Sequence, residues 1–351
     1  MGYGQDMIKY MFYLRNVLNK SYFVAWIIGT LIFVYVCYEQ FCRIFGNKMP
    51  LDGRSVYITG GSQGVGKALA ILCTSKGAHV SIVARNKNIL KEALKEMEKT
   101  QNVRCNSNQK LKAISADLTI AKEAKRALDE AFETSPDIVF CCVGAAQPGF
   151  FVDLSPEQIE EGIKVNYLTA AYTAHAALRK MINNPLLSKA SPRRIIFCSS
   201  LLAFLGMAGY SQYSPSKAAL RCLTDTLRQE CLLYDVKVHC AFLATVYTPG
   251  FEKEQLIKPE LTKELEGIDQ GQLPEIVALH IIKSLEKGQF FITTEIIGAL
   301  LKNNMRGPSP RDNMVVDTIL GYIASFIYPF VRISHDQIVR KYAKKNRHIK
   351  K

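Results

Sequence analysis

A tyrosine and a lysine four residues apart have the types and spacing of a proton-transfer pair. Lys217 follows Tyr213 in the stretch Tyr-Ser-Pro-Ser-Lys, and residues four apart on a helix share one face. An ammonium beside a phenol favours the ionised phenol, so we expect Lys217 to lower the pKa of Tyr213 from about 10. Ser200 stands thirteen residues before Tyr213, shortly after the apolar run at 195–197, where its hydroxyl could hold a carbonyl oxygen. Taken alone, the pair favours the simpler interpretation that Tyr213 and Lys217 are ordinary helix residues.

The amino-terminal half of the chain carries the pattern of a dinucleotide-binding turn. A β-branched strand at 56–59 leads into Gly60, Gly64 and Gly66, in the pattern T-G-x-x-x-G-x-G, and a helical run follows at 67–76. Glycine lets the backbone approach a pyrophosphate, and the amino end of a helix presents free NH groups to it. Any tight strand-to-helix turn recruits glycine, but here both the strand and the helix are in place.

Together these two motifs resemble the short-chain dehydrogenase/reductase family, over about residues 51–294. The resemblance implies an α/β fold with a Rossmann-type doubly wound parallel sheet. It also implies that Asn166 helps to hold a water that connects the lysine with solvent; otherwise Asn166 would cap or bend a helix. The catalytic residues predicted in this way are Asn166, Ser200, Tyr213 and Lys217.

The resemblance further implies how these residues act. A hydride would pass from the nicotinamide to a ketone carbon while Tyr213 gives a proton to the oxygen. Ser200 would orient and polarise that oxygen, and Lys217 would bind the nicotinamide ribose and lower the pKa of Tyr213. Asn166 would sustain the proton supply. Ser199 is easily confused with Ser200, but neighbouring strand residues point to opposite faces, and the thirteen-residue spacing selects Ser200.

The end of the second predicted strand, at 79–85, indicates NADPH rather than NADH. An NAD enzyme places a carboxylate there for the ribose 2′-hydroxyl, whereas NADP needs a cation. Arg85 stands at this point, and its guanidinium could bind the 2′-phosphate with help from the Ser62 hydroxyl. Arg85 could also be a solvated residue at a helix start. The predicted cofactor-binding set, part of which follows from the family pattern, is Gly60, Ser62, Gly64, Gly66, Arg85, Asp117, Leu118, Gly144, Tyr213, Lys217 and Thr248.

Three stretches depart from the family pattern. Residues 141–144 read Cys-Cys-Val-Gly where family members usually carry Asn-Asn-Ala-Gly, and residues 244–247 read Ala-Thr-Val-Tyr where Pro-Gly is expected. The connection at 101–110 is longer and more polar than a minimal loop. Because the catalytic quartet is intact, these changes bear on loop geometry and rate more than on reaction type.

The length and composition fit one α/β domain with appendages. The chain has 351 residues, and strand-like segments alternate with helical ones, which predicts one parallel sheet. There are ten cysteines, but no Cys-x-x-Cys or Cys/His ligand spacing occurs, so we expect free thiols in a reducing compartment and no metal site. The predicted strands are 56–59, 80–84, 111–115, 138–142, 194–199, 236–243 and 290–293.

An uncharged segment at residues 22–38, rich in aromatic residues at its edges, precedes the domain. Seventeen helical residues extend about 25 Å, close to the thickness of a bilayer core. A secretory signal peptide is the competing interpretation, but residues 39–46 offer no small-x-small cleavage site. We therefore expect an uncleaved membrane anchor, with a buried apolar helix as the alternative.

A second apolar stretch, at 315–331, is interrupted by Asp317, Gly321 and Pro329 and is followed by a basic tail. Basic flanks tend to stay cytoplasmic, and the cofactor places the catalytic domain there too, so this stretch should dip into the membrane and return, or lie at the interface. Attraction of the tail to anionic lipid accounts for part of the net charge of +14. Nucleic-acid binding is not predicted, because no reader motif is present.

The apolar segment 296–301 and the membrane segments predict a chain-like lipid ketone as the substrate. With the anchor, the stretches Thr-Pro-Gly-Phe-Glu at 248–252 and Arg-Gly-x-Ser-Pro at 306–310 resemble membrane-bound members of the family. Those members reduce a long-chain amino ketone with NADPH at the endoplasmic reticulum, in sphingoid-base synthesis. A 3-ketoacyl-CoA or steroid reductase is the nearer alternative, and a non-catalytic NADPH-binding scaffold is the more distant one.

The predicted organisation has three parts. These are a segment with the membrane anchor at 1–50, an NADPH-binding catalytic domain at 51–310, and a membrane-associated segment with a basic tail at 311–351. We expect the catalytic domain to face the cytosol at the endoplasmic reticulum membrane. A homo-oligomer is also possible, since family members often pair through the helices that carry Asn166 and Tyr213.

Overall fold

The computed structural model describes residues 49–101, 108–184, 192–267 and 270–346, together with seven helical positions nearer the amino terminus. The predicted anchor at 22–38 and the connection at 101–110 therefore lie largely outside the described residues. The seven positions are Tyr22, Trp26, Gly29, Thr30, Phe33, Val34 and Cys37.

Seven strands form one sheet in the described part of the chain. They are β1 (Ser55–Thr59), β2 (His79–Ala84), β3 (Leu111–Ser115), β4 (Ile138–Cys141), β5 (Arg193–Ser200), β6 (Val236–Leu243) and β7 (Phe291–Thr293). The order is β3-β2-β1-β4-β5-β6-β7, and every neighbouring pair is parallel. The doubly wound sheet is confirmed, as is each predicted strand to within one residue at either end. Doubly wound sheets open a ligand crevice where the strand order reverses, here between β1 and β4.

Helices cover both faces of this sheet. They are α1 (Gly64–Ser75), α2 (Lys87–Lys99), α3 (Ala121–Ala131), α4 (Pro156–Ile163), α5 (Thr169–Asn183), α6 (Ser214–Glu230), α7 (Pro249–Ile257), α8 (Glu260–Glu266), α9 (Pro274–Glu286), α10 (Ile296–Met305) and α11 (Met314–Lys345). One core layer joins the sheet to α1, α2 and α9, and the other joins it to α3, α5 and α6. Because the strands are covered on both faces, they read as continuous apolar runs such as Val56-Tyr57-Ile58.

The connection between α10 and α11 is held by a buried ion network. The Arg306 guanidinium donates to Asp317 at 2.7 Å and to Asp312 at 2.9 Å, and Lys302 Nζ lies 3.0 Å from the same Asp312 carboxylate. Asp312 also accepts the backbone NH of Phe290 at 2.8 Å, next to β7. Removing one partner of such a pair typically costs about 3–5 kcal/mol, so the network fixes the start of α11 to the domain.

α11 is a continuous helix of 32 residues and, among the described residues, the one helix long and apolar enough to cross a membrane. Its inner face packs against α10: Ala324 is buried, and the Tyr328 hydroxyl lies 3.4 Å from the Ile297 carbonyl oxygen. Its outer face is a stripe of exposed apolar side chains at helical spacing. The stripe consists of Val315, Val316, Ile319, Tyr322, Ile323, Phe326, Ile327, Phe330 and Ile333.

The shape of α11 bears on the two membrane arrangements expected from the sequence. The helix continues through Pro329 without a turn, so a segment that dips into the membrane and returns within 315–331 does not match it. A helix that lies at the interface does match, because one face is packed on the domain and the other is apolar and exposed. Interfacial binding stays a prediction.

Candidate active site

The glycine-rich turn after β1 forms one end of a deep cavity. Gly60 has a φ of +67°, which favours glycine, and a side chain there would come within 3.1 Å of the Cys142 backbone. A side chain at Gly66 would overlap the Gly60 carbonyl oxygen. α1 begins at Gly64, so its free NH groups lie at this turn. The close backbone approach and the free NH groups fit the pyrophosphate of a dinucleotide.

The cavity has a volume of about 780 Å³ and lies at the carboxyl ends of the central strands. Every predicted site residue except Asn166 lines it, although these residues are spread from position 60 to position 248. The parallel topology explains this, because loops that follow parallel strands meet at one edge of the sheet. The lining residues from the predicted set are Gly60, Ser62, Gly64, Gly66, Arg85, Asp117, Leu118, Gly144, Ser200, Tyr213, Lys217 and Thr248.

The two adjacent serines at the end of β5 have different partners. Ser200 is the last residue of the strand, accepts the Leu202 NH at 3.2 Å and forms a side-chain hydrogen bond with Tyr213. The Ser199 hydroxyl instead donates to the Lys217 carbonyl oxygen at 2.9 Å. The alternation of the strand therefore directs one hydroxyl to the phenol and the other to the helix backbone.

Tyr213 is the N-cap residue of α6, and Lys217 lies on the first turn. Lys217 Nζ lies over the Tyr213 ring, 5.5 Å from its centre, and donates to the Cys198 carbonyl oxygen at 3.1 Å. Burial lowers the pKa of Lys217. Burial also raises the pKa of Tyr213, the charge of Glu254 raises it further, and the hydrogen bond with Ser200 acts the other way. The sequence predicted a lowered phenol pKa, but the ammonium faces the ring and the Cys198 carbonyl, and burial dominates.

Asn166 lies behind the cavity wall, in the π-helical turn Lys164–Leu168 that joins α4 to α5. Its buried amide exchanges two hydrogen bonds with the backbone of Ala145, at 2.9 and 3.0 Å, which hold the loop after β4. A Cβ at Gly144 would lie 2.8 Å from Lys217 Nζ and 3.1 Å from Asn166 Oδ1. Glycine at this position therefore lets the lysine and the asparagine approach each other. Such π turns are common at functional sites.

The ends of β2 and β3 form the far side of the cavity. Arg85 is exposed there and lines the cavity together with Ser62. Although partial burial opposes it, hydrogen bonds from Thr119 and the charge of Arg85 hold the pKa of Asp117 below its ordinary value. The end of β2 thus presents a cation where an NAD enzyme would have a carboxylate.

The segment after β6 closes the cavity even though the family's Pro-Gly is missing. Thr248 caps α7 by accepting the Phe251 NH at 3.1 Å, and its methyl group lies 3.0 Å from where a Gly64 Cβ would stand. The preceding loop is held by a bridge to Gln272, which accepts the Tyr247 NH at 3.0 Å and donates to Thr245 at 2.9 Å. The bridge gives this loop a defined position beside the glycine turn.

The departure at 141–144 places the Cys142 thiol against that of Cys198, and both residues line the cavity. Cys142 and Cys198 lie at the ends of β4 and β5, and their sulfur atoms are 3.3 Å apart. Their shared hydrogen bond raises the pKa of Cys142 and lowers that of Cys198. The cysteines of the described residues are free, as expected, and no group of His, Cys, Asp and Glu within those residues could hold a metal ion.

Two further parts of the cavity wall matter, and only the second of them was indicated by the sequence. One is a charged cluster of Tyr210, Glu254, Lys258 and Glu266. Its members span 56 residues with no motif, so only the packing of α7 and α8 reveals it. The other is an apolar side, for which the segment 296–301 was the sequence signal. It consists of Leu201, Leu202, Leu205, Ile297 and Leu301.

This fold and site define a nicotinamide-dependent oxidoreductase of the Rossmann type. A family model for short chain dehydrogenases matches residues 54–256, and the chain belongs to that family, as the two motifs predicted. It is 41% identical over 312 residues to a 3-ketodihydrosphingosine reductase of Aspergillus fumigatus, covering 82% of this chain and 84% of that protein. It is 37% identical over 295 residues to a 3-ketodihydrosphingosine reductase of Yarrowia lipolytica, covering 84% and 79%.

Solved structures have the same fold. A short chain dehydrogenase/reductase from Burkholderia phymatum in complex with NAD aligns with a TM-score of 0.61 at 18% identity, over 74% of this chain and 95% of that one. A short chain dehydrogenase from Burkholderia cenocepacia in complex with NADP aligns with a TM-score of 0.57 at 22% identity, over 70% and 97%. At these identities the likeness concerns the fold alone.

Proposed function

We propose that this protein reduces the keto group of 3-ketodihydrosphingosine to the alcohol in sphingolipid synthesis, with NADPH as the reductant. The observation that carries the proposal is the joining of Ser200, Tyr213 and Lys217 to a glycine-rich dinucleotide turn in one cavity with an apolar side. The two similar fungal reductases support the choice of substrate.

The side chains of the cavity have separable roles in this reaction. Bound NADPH supplies the hydride. Ser200 holds the ketone oxygen beside the Tyr213 hydroxyl, which gives that oxygen a proton as its negative charge develops. Lys217 holds the phenol ring and would hold the nicotinamide ribose in place. Asn166 would help to hold a water that connects Lys217 with solvent, so that the donated proton is replaced. At neutral pH the Tyr213 phenol is protonated, which is the form that reduction needs.

The preference for NADPH follows from the cavity's far side. Arg85 is a guanidinium at the end of β2, where it can make charge-assisted hydrogen bonds to a 2′-phosphate, and Ser62 adds a hydroxyl. The ionised Asp117 lies nearby but follows β3, so it does not take the place of the ribose-binding carboxylate of an NAD enzyme. Leu118 would contact the adenine.

The apolar side of the cavity suits the alkyl chain of the substrate. Ile297 and Leu301 belong to α10, and α10 packs directly against α11, whose outer face is apolar and exposed. A long chain could therefore run from the reacting carbon along α10 towards a membrane on which α11 lies. This route would let the ketone enter laterally from the bilayer.

Residues 51–351 would lie on the cytosolic side of the endoplasmic reticulum membrane. α11 binds the membrane interface through its apolar stripe, and the basic residues in its second half contact anionic headgroups. The segment 22–38 is the anchor that spans the membrane. A homo-oligomer formed through α4, α5 and α6 would leave α11 free for the membrane. The basic residues of α11 are Arg332, Arg340, Lys341, Lys344 and Lys345.

Lipid mass spectrometry of cells depleted of this protein tests the proposed function. We expect 3-ketodihydrosphingosine to accumulate and dihydrosphingosine to fall, and both should recover when the wild-type chain is restored. Restoring the Tyr213→Phe chain is the matched control and should leave the ketone high. Unchanged levels of both lipids would contradict the proposal.

A further inference from the structure

The charged cluster in the cavity wall has an unusual arrangement of one cation between two carboxylates. Lys258 Nζ lies 2.7 Å from Glu266 and 3.1 Å from Glu254, and the Tyr210 hydroxyl lies 2.5 Å from each of the same two carboxylates. Glu254 stands on α7, Glu266 on α8, and all four side chains line the cavity. Two acids and one base leave the cluster with an excess negative charge.

The cation of this cluster is hidden, whereas its carboxylates are accessible. The Lys258 side chain is only 1% exposed and lies between the rings of Tyr210 and Phe251, 5.7 and 5.5 Å from their centres. The Glu254 and Glu266 side chains are 17% and 23% exposed. The Tyr210 hydroxyl has one proton for two carboxylates, so one carboxylate oxygen keeps capacity for another donor. The cluster therefore presents negative charge to the cavity.

This negative charge lies beside the proton donor. The rings of Tyr210 and Tyr213 are 6.1 Å apart between centres, and the Glu254 charge contributes to the raised pKa of Tyr213. The cavity's other charged residues have different places: Arg85 and Asp117 lie at the far side, and Lys217 lies over the Tyr213 ring. Lys253 is exposed, and Glu295 lies at the start of α10. A ketone held at Tyr213 would thus have the two carboxylates on its α7 side.

We propose that Glu254 and Glu266 bind the ammonium group of an amino ketone, and so select substrates that carry a cationic amine on the carbon next to the keto carbon. The inference rests on the proposed function, in which the substrate is a long-chain 2-amino-3-ketone. A carboxylate gives an ammonium a charge-assisted hydrogen bond in a partly desolvated place. A coenzyme A thioester has no such cation, and its phosphates would be repelled. Lys258 holds both carboxylates in position.

The test compares two ketones of equal chain length, 3-ketodihydrosphingosine and its N-acetyl derivative, which lacks the positive charge. In the full-length protein, Glu254→Gln and Glu266→Gln should each lower kcat/KM for the amino ketone roughly 10- to 100-fold, mainly through KM. The loss should be at least about fivefold smaller for the N-acetyl ketone. The matched controls are Glu252→Gln on α7 and Glu264→Gln on α8, which are exposed and do not line the cavity.

Inhibition of the wild-type enzyme gives a second measurement that needs no variant. Octadecylamine should inhibit reduction competitively with the amino ketone and at least about tenfold more strongly than octadecanol. Equal inhibition by the two compounds would overturn the ammonium site. An equal fall in kcat/KM for the amino ketone and the N-acetyl ketone in Glu254→Gln would overturn it too. If either result is found while the wild-type enzyme still reduces the amino ketone, the ammonium site is refuted and the proposed function stands. An enzyme that reduces neither ketone refutes the proposed function and this site together.

Discussion

Lys217 Nζ lies over the ring of Tyr213, 5.5 Å from its centre, and is held there by a 3.1 Å hydrogen bond to the Cys198 carbonyl oxygen. The strand β5 therefore fixes the ammonium relative to the phenol, in addition to the helix that carries both residues. Burial moves both groups towards their neutral forms, with the pKa of Tyr213 raised and that of Lys217 lowered. The two shifts have opposite consequences for the pH dependence of the reaction.

Reduction should decline at alkaline pH because Lys217 loses its proton. The ammonium is the active form, so activity is full below its lowered pKa and is lost as the pH rises through it, at a value below about 10.4. Tyr213, whose pKa is raised, keeps its proton over the same range. A kcat/KM profile should show one ionisation there. The kcat/KM profile of Cys198→Ala is the control. If the alkaline decline is absent from that profile, the decline belongs to the Cys198 thiol and not to Lys217. A flat profile up to pH 10.4 would refute the role of Lys217.

The two serines of β5 should differ strongly in their effect on rate. Ser200→Ala removes the hydroxyl beside Tyr213 and should lower kcat about 100-fold, as removal of one oxygen-stabilising donor does. Ser199→Ala removes a hydrogen bond to the Lys217 carbonyl oxygen and should cost about 1 kcal/mol of stability with a small change in rate. Steady-state kinetics and thermal unfolding of both variants check this. The reverse order of rates would mean that Ser199 is the catalytic serine.

Arg85→Asp should weaken NADPH far more than NADH. The change removes the guanidinium expected at the 2′-phosphate and adds a repelling carboxylate, which should cost a few kcal/mol for NADPH, on the order of 2–4 kcal/mol. Dissociation constants for both cofactors, from nicotinamide fluorescence, provide the measurement. Lys87→Asp, on the exposed first turn of α2 outside the cavity, is the matched control. Equal weakening of both cofactors would make Arg85 structural.

The sequence predicts this fold well because most of the strands are buried on both faces. Runs such as Ile138–Cys141 are apolar and buried throughout, so their positions follow from composition alone. The catalytic geometry was less accessible. Asn166 bonds Ala145 from within a π turn, and nothing in Lys164-Val165-Asn166 indicates that turn.

The electrostatics of the site were the part that spacing could not predict. Four-residue spacing brings Lys217 near Tyr213, but burial, which is not local in sequence, sets the direction of the pKa shift of each residue. The carboxylates of Glu254 and Glu266 come together through the packing of α7 against α8. Long-range contacts of this kind leave no periodic signal in the chain.

The carboxyl terminus should stay on the cytosolic side of the membrane. Asp317 is paired with Arg306 at 2.7 Å, which ties the start of α11 to the domain, and the basic residues after 331 oppose translocation. A glycosylation acceptor appended after Lys351 should therefore remain unmodified. An acceptor placed before Tyr22 should be modified and serves as the positive control. Glycosylation at the carboxyl terminus would require α11 to span the membrane.

The most direct test of the proposed reaction is the turnover of 3-ketodihydrosphingosine by the purified full-length protein, followed by NADPH oxidation and by mass spectrometry of the product. The wild-type protein should form dihydrosphingosine in step with NADPH consumed, and NADH should be a much poorer reductant. Tyr213→Phe should bind NADPH nearly as tightly and form no product, since it keeps the ring and loses the proton donor. The proposed reaction would be contradicted by a wild-type protein that reduces only 3-ketoacyl-CoA or a steroid ketone. The role of Tyr213 would be contradicted by a Tyr213→Phe variant that keeps most of its turnover.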